Sequence, residues 1–278
     1  MGCNTASLSN LGELMKLATI LFNKTVKLFA GKKFTKNKII AKTFYYGKSW
    51  LKEKSITIDG SIIYLDKFDS LCLSINKSYE KEETELIRQH VKKSDVILDI
   101  GANIGYYTIL FSKLGKEVHA FEPDETNFSI LQKNIKANNL TNVISNKKAV
   151  SNKNGTINLS LNKLNTGGHY ITNKETGVKV ETIILDDYIK SVDFVKMDVE
   201  GAETLALMGM KNLLANPNLK LLIEYNPNAI ANFGFNDLAF LFMLRKHFTL
   251  MDVKDKTIIE DMESFAAKRK ITNLFCYK

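Results

Sequence analysis

The chain has 278 residues, of which 45% are hydrophobic and 25% charged. This is enough to bury the core of one large α/β domain, and it argues against intrinsic disorder. The formal net charge of +9 favours an anionic partner, such as a phosphorylated glycan, a nucleic acid or a membrane surface. The basic excess is diffuse, however, so a lysine-rich solvated surface explains it equally well.

Cysteine usage and hydropathy indicate a cytoplasmic protein. The three cysteines, Cys3, Cys72 and Cys276, are far apart and show neither zinc-ligand spacing nor a disulfide framework. No uninterrupted apolar run is long enough to span a bilayer, and charge interrupts the early apolar stretch, which argues against a signal peptide. We therefore expect a reducing compartment. No metal ligands are assigned from the sequence, and the use of a divalent metal stays open.

Residues 1–80 are predicted to form an extension with an amphipathic helix and a β-hairpin. Residues 11–29 place apolar side chains at helical spacing, with the lysines mostly on the other face. The favoured interpretation docks this helix on the core, and peripheral membrane contact or dimerisation is the alternative. Residues 55–75 alternate apolar and polar side chains around a probable turn at Asp59-Gly60, which predicts a hairpin or small sheet.

The remaining residues, 81–278, are predicted to form the main domain, organised around one stretch. Four apolar residues surround Asp99, two glycines, Gly101 and Gly105, bracket a short turn, and a helix is predicted over Tyr106–Leu114. The glycines allow positive φ or close approach of a ligand. Asp99 lies near the carboxyl end of the strand, where open α/β sheets bind their ligands.

The turn is not a dinucleotide fingerprint. Asn103 and Tyr106 stand at the second and third glycine positions of G-x-G-x-x-G, and a side chain at the second position obstructs a pyrophosphate. A ligand with a cationic end and no phosphate, such as S-adenosylmethionine, suits the turn better. Glu122 ends the next predicted strand, 21 residues after Gly101, near the spacing expected for a carboxylate that holds ribose hydroxyls.

The rest of the chain alternates strands and helices, which predicts a doubly wound parallel sheet. Asp124 or Thr126 can cap the helix that follows Glu122. Later strands are predicted at residues 143–150, 192–199, 221–226, 248–253 and 271–277, with helices over 201–214 and 236–247.

A β-hairpin insertion interrupts this alternation. Strands are predicted over Ile157–Leu161 and Val178–Ile184, with a polar tip that contains Gly167, Gly168 and His169. Flexible tips on a rigid scaffold often carry function. A surface histidine on an ordinary hairpin turn is an equally good reading of His169.

The strand predicted at 192–199 carries the densest charge cluster, which continues to Glu203. On a strand, Lys196, Asp198 and Glu200 point to one side. A lysine with two carboxylates at the carboxyl edge of a sheet is hard to explain by packing, and it suits proton transfer, hydroxyl binding or metal ligation.

Four segments together resemble the FkbM-type methyltransferases. These segments are Asp99–Thr108, Phe121-Glu122-Pro123, Leu185-Asp186-Asp187 and Lys196–Glu203. The resemblance covers roughly residues 80–250 and is most specific over Lys196–Glu203, because the generic methyltransferase fold lacks that segment.

The resemblance implies a class I, Rossmann-like methyltransferase fold with a seven-stranded sheet whose last strand is antiparallel. It also implies S-adenosylmethionine as the cofactor. Asp99, Gly101 and Asn103 would lie beside the methionine moiety, Glu122 on the ribose, Ala149 and Val150 near the adenine, and Asp198 beside the transferred methyl. The family acts on many acceptors, and Gly168-His169-Tyr170 departs from its Gly-Ser-Ser-like segment.

The favoured interpretation is an O-methyltransferase that acts on a hydroxyl of a glycan or small-molecule natural product. An RNA or other nucleic-acid methyltransferase or binding module is the alternative from the net charge, although interleaved basic and aromatic residues are sparse. A cofactor-binding protein without catalysis is a third reading, disfavoured by the acidic cluster. Asp198, Glu200 and His169 are the candidate bases. We expect Asp198, ionised beside Lys196, to position the acceptor and His169 to deprotonate it.

Overall fold

The computed structural model describes residues 53–161, 169–172 and 177–278. The chain divides into two compact units, Met1–Tyr79 and Glu80–Lys278. The helix predicted over residues 11–29 and the Gly167-Gly168 pair lie outside the described residues. Within those residues, none of the helices has the length and apolar composition of a membrane span.

The first unit contains the predicted hairpin. Strands β1 (Ser55–Ile58) and β2 (Ser61–Tyr64) pair antiparallel. Asp59 and Gly60 connect them with φ values of 48° and 74°, and two positive φ angles are what a type I′ turn requires.

The predicted continuation of β structure to residue 75 is wrong. Residues Leu73–Asn76 form a short helix, α1. The carboxylate of Asp66 accepts hydrogen bonds from the backbone N–H groups of Phe68 and Ser70, and Asp69 accepts from Leu73 and Ser74. Such local side-chain bonds give the backbone an alternative to a strand, and apolar alternation alone does not reveal them.

The second unit is built on strands that follow one another in chain order as β3 (Val96–Ile100), β4 (Glu117–Phe121), β5 (Val143–Asn146), β6 (Ala149–Val150), β7 (Gly155–Ser160), β8 (Tyr170–Thr172), β9 (Val178–Ile183), β10 (Phe194–Met197), β11 (Lys220–Tyr225), β12 (Thr249–Asp252), β13 (Thr257–Ile258) and β14 (Thr272–Tyr277). The main sheet has the order β13-β12-β14-β11-β10-β3-β4-β5.

The topology of this sheet confirms the predicted fold class. Strands β5, β4, β3, β10 and β11 are parallel, while β14 is antiparallel to both β11 and β12. Seven strands therefore have the predicted arrangement, and the two-residue β13 adds an eighth at the edge. The chain runs from β3 outward to β5 and then returns to the other side of β3 with β10. This reversal lies between β3 and β10, where sheets of this kind bind ligands.

The helices connect these strands and cover the sheet. They are α2 (Lys81–His90), α3 (Tyr106–Leu114), α4 (Glu125–Ala137), α5 (Leu185–Tyr188), α6 (Glu203–Met208), α7 (Lys211–Leu214), α8 (Pro227–Asn232), α9 (Asp237–Arg245) and α10 (Met262–Ala267). The helix predicted over 201–214 is divided into α6 and α7 at Gly209. A Cβ atom on Gly209 would lie 2.1 Å from the carbonyl oxygen of Ser151, so the chain packs too closely there for a side chain.

The insertion is larger than the predicted hairpin. Strands β7 and β9 pair antiparallel as expected, and β6 and β8 extend them into a sheet of order β6-β9-β7-β8. The single strand predicted over 143–150 is therefore two. β5 joins the main sheet and β6 joins the insertion, where Ala149 is registered with Thr182.

Candidate functional site

The turn after β3 is shaped by two glycines and one asparagine with positive φ. Gly101, Asn103 and Gly105 have φ values of 82°, 52° and 92°. A Cβ atom on Gly105 would lie 2.6 Å from Cδ1 of Leu131, so this glycine lets α4 pack against the turn. The Asn103 side chain accepts a hydrogen bond from the N–H of Ile104, which stabilises its left-handed conformation.

Glu122 joins the carboxyl ends of β3 and β4. Its Oε2 accepts a hydrogen bond of 2.8 Å from the N–H of Asn103, and its Oε1 accepts one of 2.9 Å from the N–H of Asp124. Burial raises the pKa of Glu122 to about 7, although the two hydrogen bonds act in the opposite direction. The carboxylate is thus fixed beside the turn, at the position predicted to hold a ribose.

Asp99 is buried at the centre of the site. Its Oδ2 accepts a hydrogen bond of 2.5 Å from the hydroxyl of Thr108, while its Oδ1 has no hydrogen-bond partner in the described part of the chain. Burial raises the pKa of Asp99, and the charge of Lys196 opposes that effect. A buried acceptor without a partner is costly, and a cationic or hydrogen-bond-donating ligand would satisfy it.

Lys196 is the buried cation of the site. Its Nζ lies 3.1 Å from Oδ2 of Asp198 and 4.9 Å from the ring centroid of Tyr107. Burial acts to lower the pKa of Lys196, but the charges of Asp198, Glu80 and Asp99 outweigh burial and raise it. Glu80 accepts a hydrogen bond of 2.7 Å from the Tyr107 hydroxyl, and this role was not predicted from the sequence.

The structure brings together Lys196, Asp198 and Glu200, but not on one strand face. β10 ends at Met197, and Glu200 has a φ of 54°, so it lies in a turn where strand alternation no longer applies. The prediction of a shared face holds for Lys196 and Asp198, which are in contact, and is wrong for Glu200. Burial, together with the charges of Asp198 and Glu203, raises the pKa of Glu200 to about 7.

Two further acids belong to this group and were not predicted as site residues. Glu203 is buried at the start of α6, and its Oε1 accepts hydrogen bonds from the N–H groups of Val199 and Gly201, at 3.0 Å and 3.3 Å. Glu224 lies on β11, next to β10. Burial raises the pKa of Glu203 to about 7, and burial with the neighbouring acids raises that of Glu224 to about 9. In the sequence, the only sign of these two residues is an acid at the start of a predicted helix, Glu203, and an acid near the end of a predicted strand, Glu224.

The predicted adenine-side residue Ala149 lies in an apolar cluster under the insertion. It is buried with Leu159, Ile171, Val180 and Ala202. Its proximity to a bound adenine stays a prediction.

The structure places His169 beside Asp124, at the start of α4. Its Nε2 lies 3.9 Å from Oδ1 of Asp124, and only 10% of its side chain is exposed. Asp124 follows β4 and caps α4, accepting a hydrogen bond from the N–H of Asn127. β4 is two strands from β10, a separation of about 10 Å across the sheet.

Known proteins support the family resemblance. The chain matches the model of the methyltransferase FkbM domain over residues 99–250, more than half of its length. The chain belongs to the FkbM methyltransferase domain family. The match begins at Asp99 and includes Glu122, Asp198 and Glu224, whereas Glu80 precedes the matched residues.

A curated relative and two solved structures are similar to this FkbM domain. The hexuronic acid methyltransferase AglP of Haloferax volcanii is 30% identical over 144 residues, which are 50% of this chain and 59% of AglP. The FkbM methyltransferase of Methylobacillus flagellatus has a TM-score of 0.46 at 16% identity, covering 76% of this chain and 53% of that one. TYW2 of M. jannaschii in complex with AdoMet has a TM-score of 0.41 at 17% identity, covering 81% and 85%. The chain thus spans less than two thirds of AglP and of the Methylobacillus protein.

Proposed function

We propose that the protein is an S-adenosylmethionine-dependent O-methyltransferase that acts on a hydroxyl of a sugar, in a glycan or a small glycoside. One observation carries this proposal: a cofactor-type turn with Asp99 and Glu122 lies beside an acidic group at the adjacent ends of β10 and β11. Membership of the FkbM family supports the activity, and the name of the relative AglP supports a sugar acceptor.

In this function each side chain has a defined task. Glu122, held by two backbone N–H groups, accepts hydrogen bonds from the two ribose hydroxyls. The oxygen of Asp99 that has no partner among the described residues would accept a hydrogen bond from the ammonium of the methionine end. S-adenosylmethionine, when bound, supplies a methyl group on a sulfonium. The residues around Asp198 hold the acceptor so that its oxygen is aligned with that methyl group.

The reaction also requires a proton acceptor, because a neutral hydroxyl is a weak nucleophile. The bound cofactor would supply the methyl group and retain the sulfur as a thioether, and a carboxylate of the acidic group would take the proton that the acceptor hydroxyl loses. Glu200 is better placed for this task than His169, since it neighbours Asp198 whereas His169 contacts Asp124.

The nucleic-acid alternative has less support. Asp198, Glu200 and Glu203 lie close enough to Glu224 for their charges to raise its pKa, and Lys196 is the buried cation beside Asp198. Such a group repels the phosphates of a nucleic-acid strand. No described contact favours a nucleic acid as the acceptor.

The cofactor is tested by calorimetric titration, and the acceptor by mass spectrometry. We expect S-adenosylmethionine and S-adenosylhomocysteine to bind and NAD not to bind, because Asn103 stands where a pyrophosphate needs glycine. Incubation of acceptor pools with methyl-labelled cofactor should then yield a labelled sugar ether. Tight NAD binding without any binding of S-adenosylmethionine would refute the proposal.

A further inference from the structure

Three carboxylates converge from separate elements at the carboxyl edge of the sheet. Asp198 follows β10, Glu203 begins α6 and Glu224 lies on β11, and one oxygen of each lies within 4.8 Å of the others. β10 and β11 are adjacent parallel strands, with Met197 registered with Ile223, so the residues that follow these two meet at the same edge. The convergence is therefore a product of the sheet topology.

Two buried oxygens of this group lack hydrogen-bond partners among the described residues, which indicates a ligand. Glu203 is completely buried, and two backbone N–H groups fix its Oε1. Its Oε2 and the Oε2 of Glu224 are both buried without a hydrogen-bond partner in the described chain. Leaving a buried polar atom unpaired costs about 1–3 kcal/mol for each atom, and more for a charged group.

The charged groups around these three residues are also mostly acidic, which likewise favours a cation. Among the described residues, the charges that act most strongly on Glu224 are those of Asp198, Glu203 and Glu200, and a single cation, Lys196, opposes them. Lys196 contacts Oδ2 of Asp198 and stacks on Tyr107. One ammonium therefore lies among four acidic side chains, and a divalent cation would supply the second counter-charge that lets them ionise together.

We propose that Asp198, Glu203 and Glu224 bind a hard divalent cation of the Mg²⁺, Mn²⁺ or Ca²⁺ class. Three carboxylate oxygens without nitrogen or sulfur are the donors these ions prefer. Ligands on opposite sides of Ca²⁺ lie about 4.8 Å apart, and those on opposite sides of Mg²⁺ about 4.2 Å apart. Oxygens that all lie within 4.8 Å of one another are therefore close enough to bind one ion of this class.

The role of the cation rests on the proposed function. A cation at this position lies beside Asp198 and next to the acceptor. Coordination of the acceptor hydroxyl would lower its pKa, as metal binding does for water. The cation would also allow a negatively charged sugar to approach a group of acids that otherwise repels it.

Manganese binding to the full chain tests the proposal. The protein is freed of metal with a chelator and titrated with Mn²⁺, with bound ion measured by electron paramagnetic resonance and heat by calorimetry. We expect one saturable site with a Kd at or below about 1 mM, from which Mg²⁺ or Ca²⁺ displaces Mn²⁺. The more effective competitor identifies the preferred ion.

Charge-conserving variants separate ligation from a general negative field. Glu224→Asp keeps the charge but withdraws the ligand, and we expect Mn²⁺ binding to weaken at least about tenfold. Glu200→Asp makes the same change at a neighbouring acid outside the three ligands, and binding should stay within about twofold. If Glu224→Asp does not fold, as judged by circular dichroism, Asp198→Glu replaces it.

Two outcomes would overturn the proposal: no saturable Mn²⁺ binding up to about 10 mM, or equal weakening in Glu224→Asp and Glu200→Asp. The first would mean that the acids share protons instead of a metal, and the second that the ion responds to the general negative field and not to ligation by Glu224. Titration of the metal-free protein with S-adenosylhomocysteine keeps the two ideas apart. Cofactor binding without Mn²⁺ binding refutes only the metal site, whereas Mn²⁺ binding without cofactor binding refutes the proposed function.

Discussion

The backbone carbonyl of Asp198 occupies the space that a side chain on Gly101 would need. A Cβ atom on Gly101 would lie 1.9 Å from that oxygen, and Gly101 also has a φ of 82°. The N–H of Asp198 in turn donates a hydrogen bond of 3.0 Å to the carbonyl of Ile100. The first glycine of the turn therefore serves the contact between β3 and β10, and it sets where Asp198 lies relative to the turn.

We expect Gly101→Ala to destabilise the protein by about 2–4 kcal/mol, because it combines backbone strain with a clash that only a shift of β10 relieves. It should also weaken S-adenosylhomocysteine binding, since Asp198 must move. Urea unfolding and calorimetry measure the two effects. Gly234→Ala is the matched control: Gly234 has a φ of 86° but open space around its Cβ position, so only the strain applies. Equal losses in both variants would show that the contact with Asp198 is unimportant.

The raised pKa of Glu122 predicts that pH has opposite effects on the free energy of unfolding and on cofactor affinity. Its pKa in the folded state is about 7, above the ordinary value of 4.5, so the folded state binds more protons than the unfolded state between these values. The stability that this group contributes is complete below its ordinary pKa and is lost as pH rises through about 7. Ribose hydroxyls donate to the ionised carboxylate, so cofactor affinity should instead increase about tenfold for each pH unit up to about 7.

Glu122→Gln isolates these two effects from those of the other buried acids. The difference between the wild type and the variant should show both trends, measured by thermal unfolding and by titration with S-adenosylhomocysteine from about pH 5 to about pH 8. At pH 8 the variant should also bind the cofactor more weakly by about 1.5–3 kcal/mol, the range for hydrogen bonds to a charged group. Identical pH dependence in the two proteins would remove Glu122 from the ribose site.

Lys196 is expected to be the residue of the site on which stability depends most. Lys196→Met keeps much of the buried volume but leaves Asp198, Asp99 and Glu80 without their cation. Breaking a buried ion pair from one side costs about 3–5 kcal/mol. Because the pKa of Lys196 is raised, its contribution should be constant around neutral pH and decrease only at strongly alkaline pH. Urea unfolding measures the loss, and Lys190→Met at an exposed lysine should change stability by less than about 0.5 kcal/mol.

The sequence predicts site residues that can be recognised from a single strand and the turn after it. It does not predict contacts that depend on the order of strands in the sheet. Asp99, Glu122 and Asp198 were predicted because parallel strands bring their carboxyl ends to one edge of the sheet. Glu224 was visible only as an acid at the end of a strand. Its meeting with Asp198 requires β11 to lie beside β10, which local periodicity does not encode.

Loop conformations and close backbone contacts are the second kind of feature that could not be predicted from the sequence. His169 was predicted as a base from its residue type and its glycine-flanked loop. The sequence did not predict that it lies beside Asp124, and its role as a base stays a prediction. Gly101 was predicted to take a positive φ or to let a ligand approach. Its φ of 82° confirms the first alternative, and the space that a Cβ atom would need is filled by a backbone carbonyl 97 residues later in the chain. A sequence indicates that a glycine is needed at a position, but it does not show which neighbouring atom leaves no space for a side chain there.

Determining whether Glu200 or His169 is the general base is the most discriminating test of the proposed site. Glu200 follows Asp198 by two residues, on a turn with positive φ, whereas His169 contacts Asp124 on the far side of β3. We therefore expect Glu200→Gln to lower turnover by about 10²–10⁴, the range for loss of a general base. The affinity for S-adenosylhomocysteine should change little in that variant.

His169→Ala is the matched comparison, and it should lower turnover by less than about tenfold. Asp198→Asn should reduce both turnover and cofactor affinity, because Asp198 contacts Lys196 and adjoins the turn after β3. Initial rates with methyl-labelled cofactor and the sugar found in the labelling experiment give kcat and KM separately. If His169→Ala loses far more turnover than Glu200→Gln, the insertion must carry His169 to the acceptor during the reaction, and the assignment of Glu200 as the base is wrong.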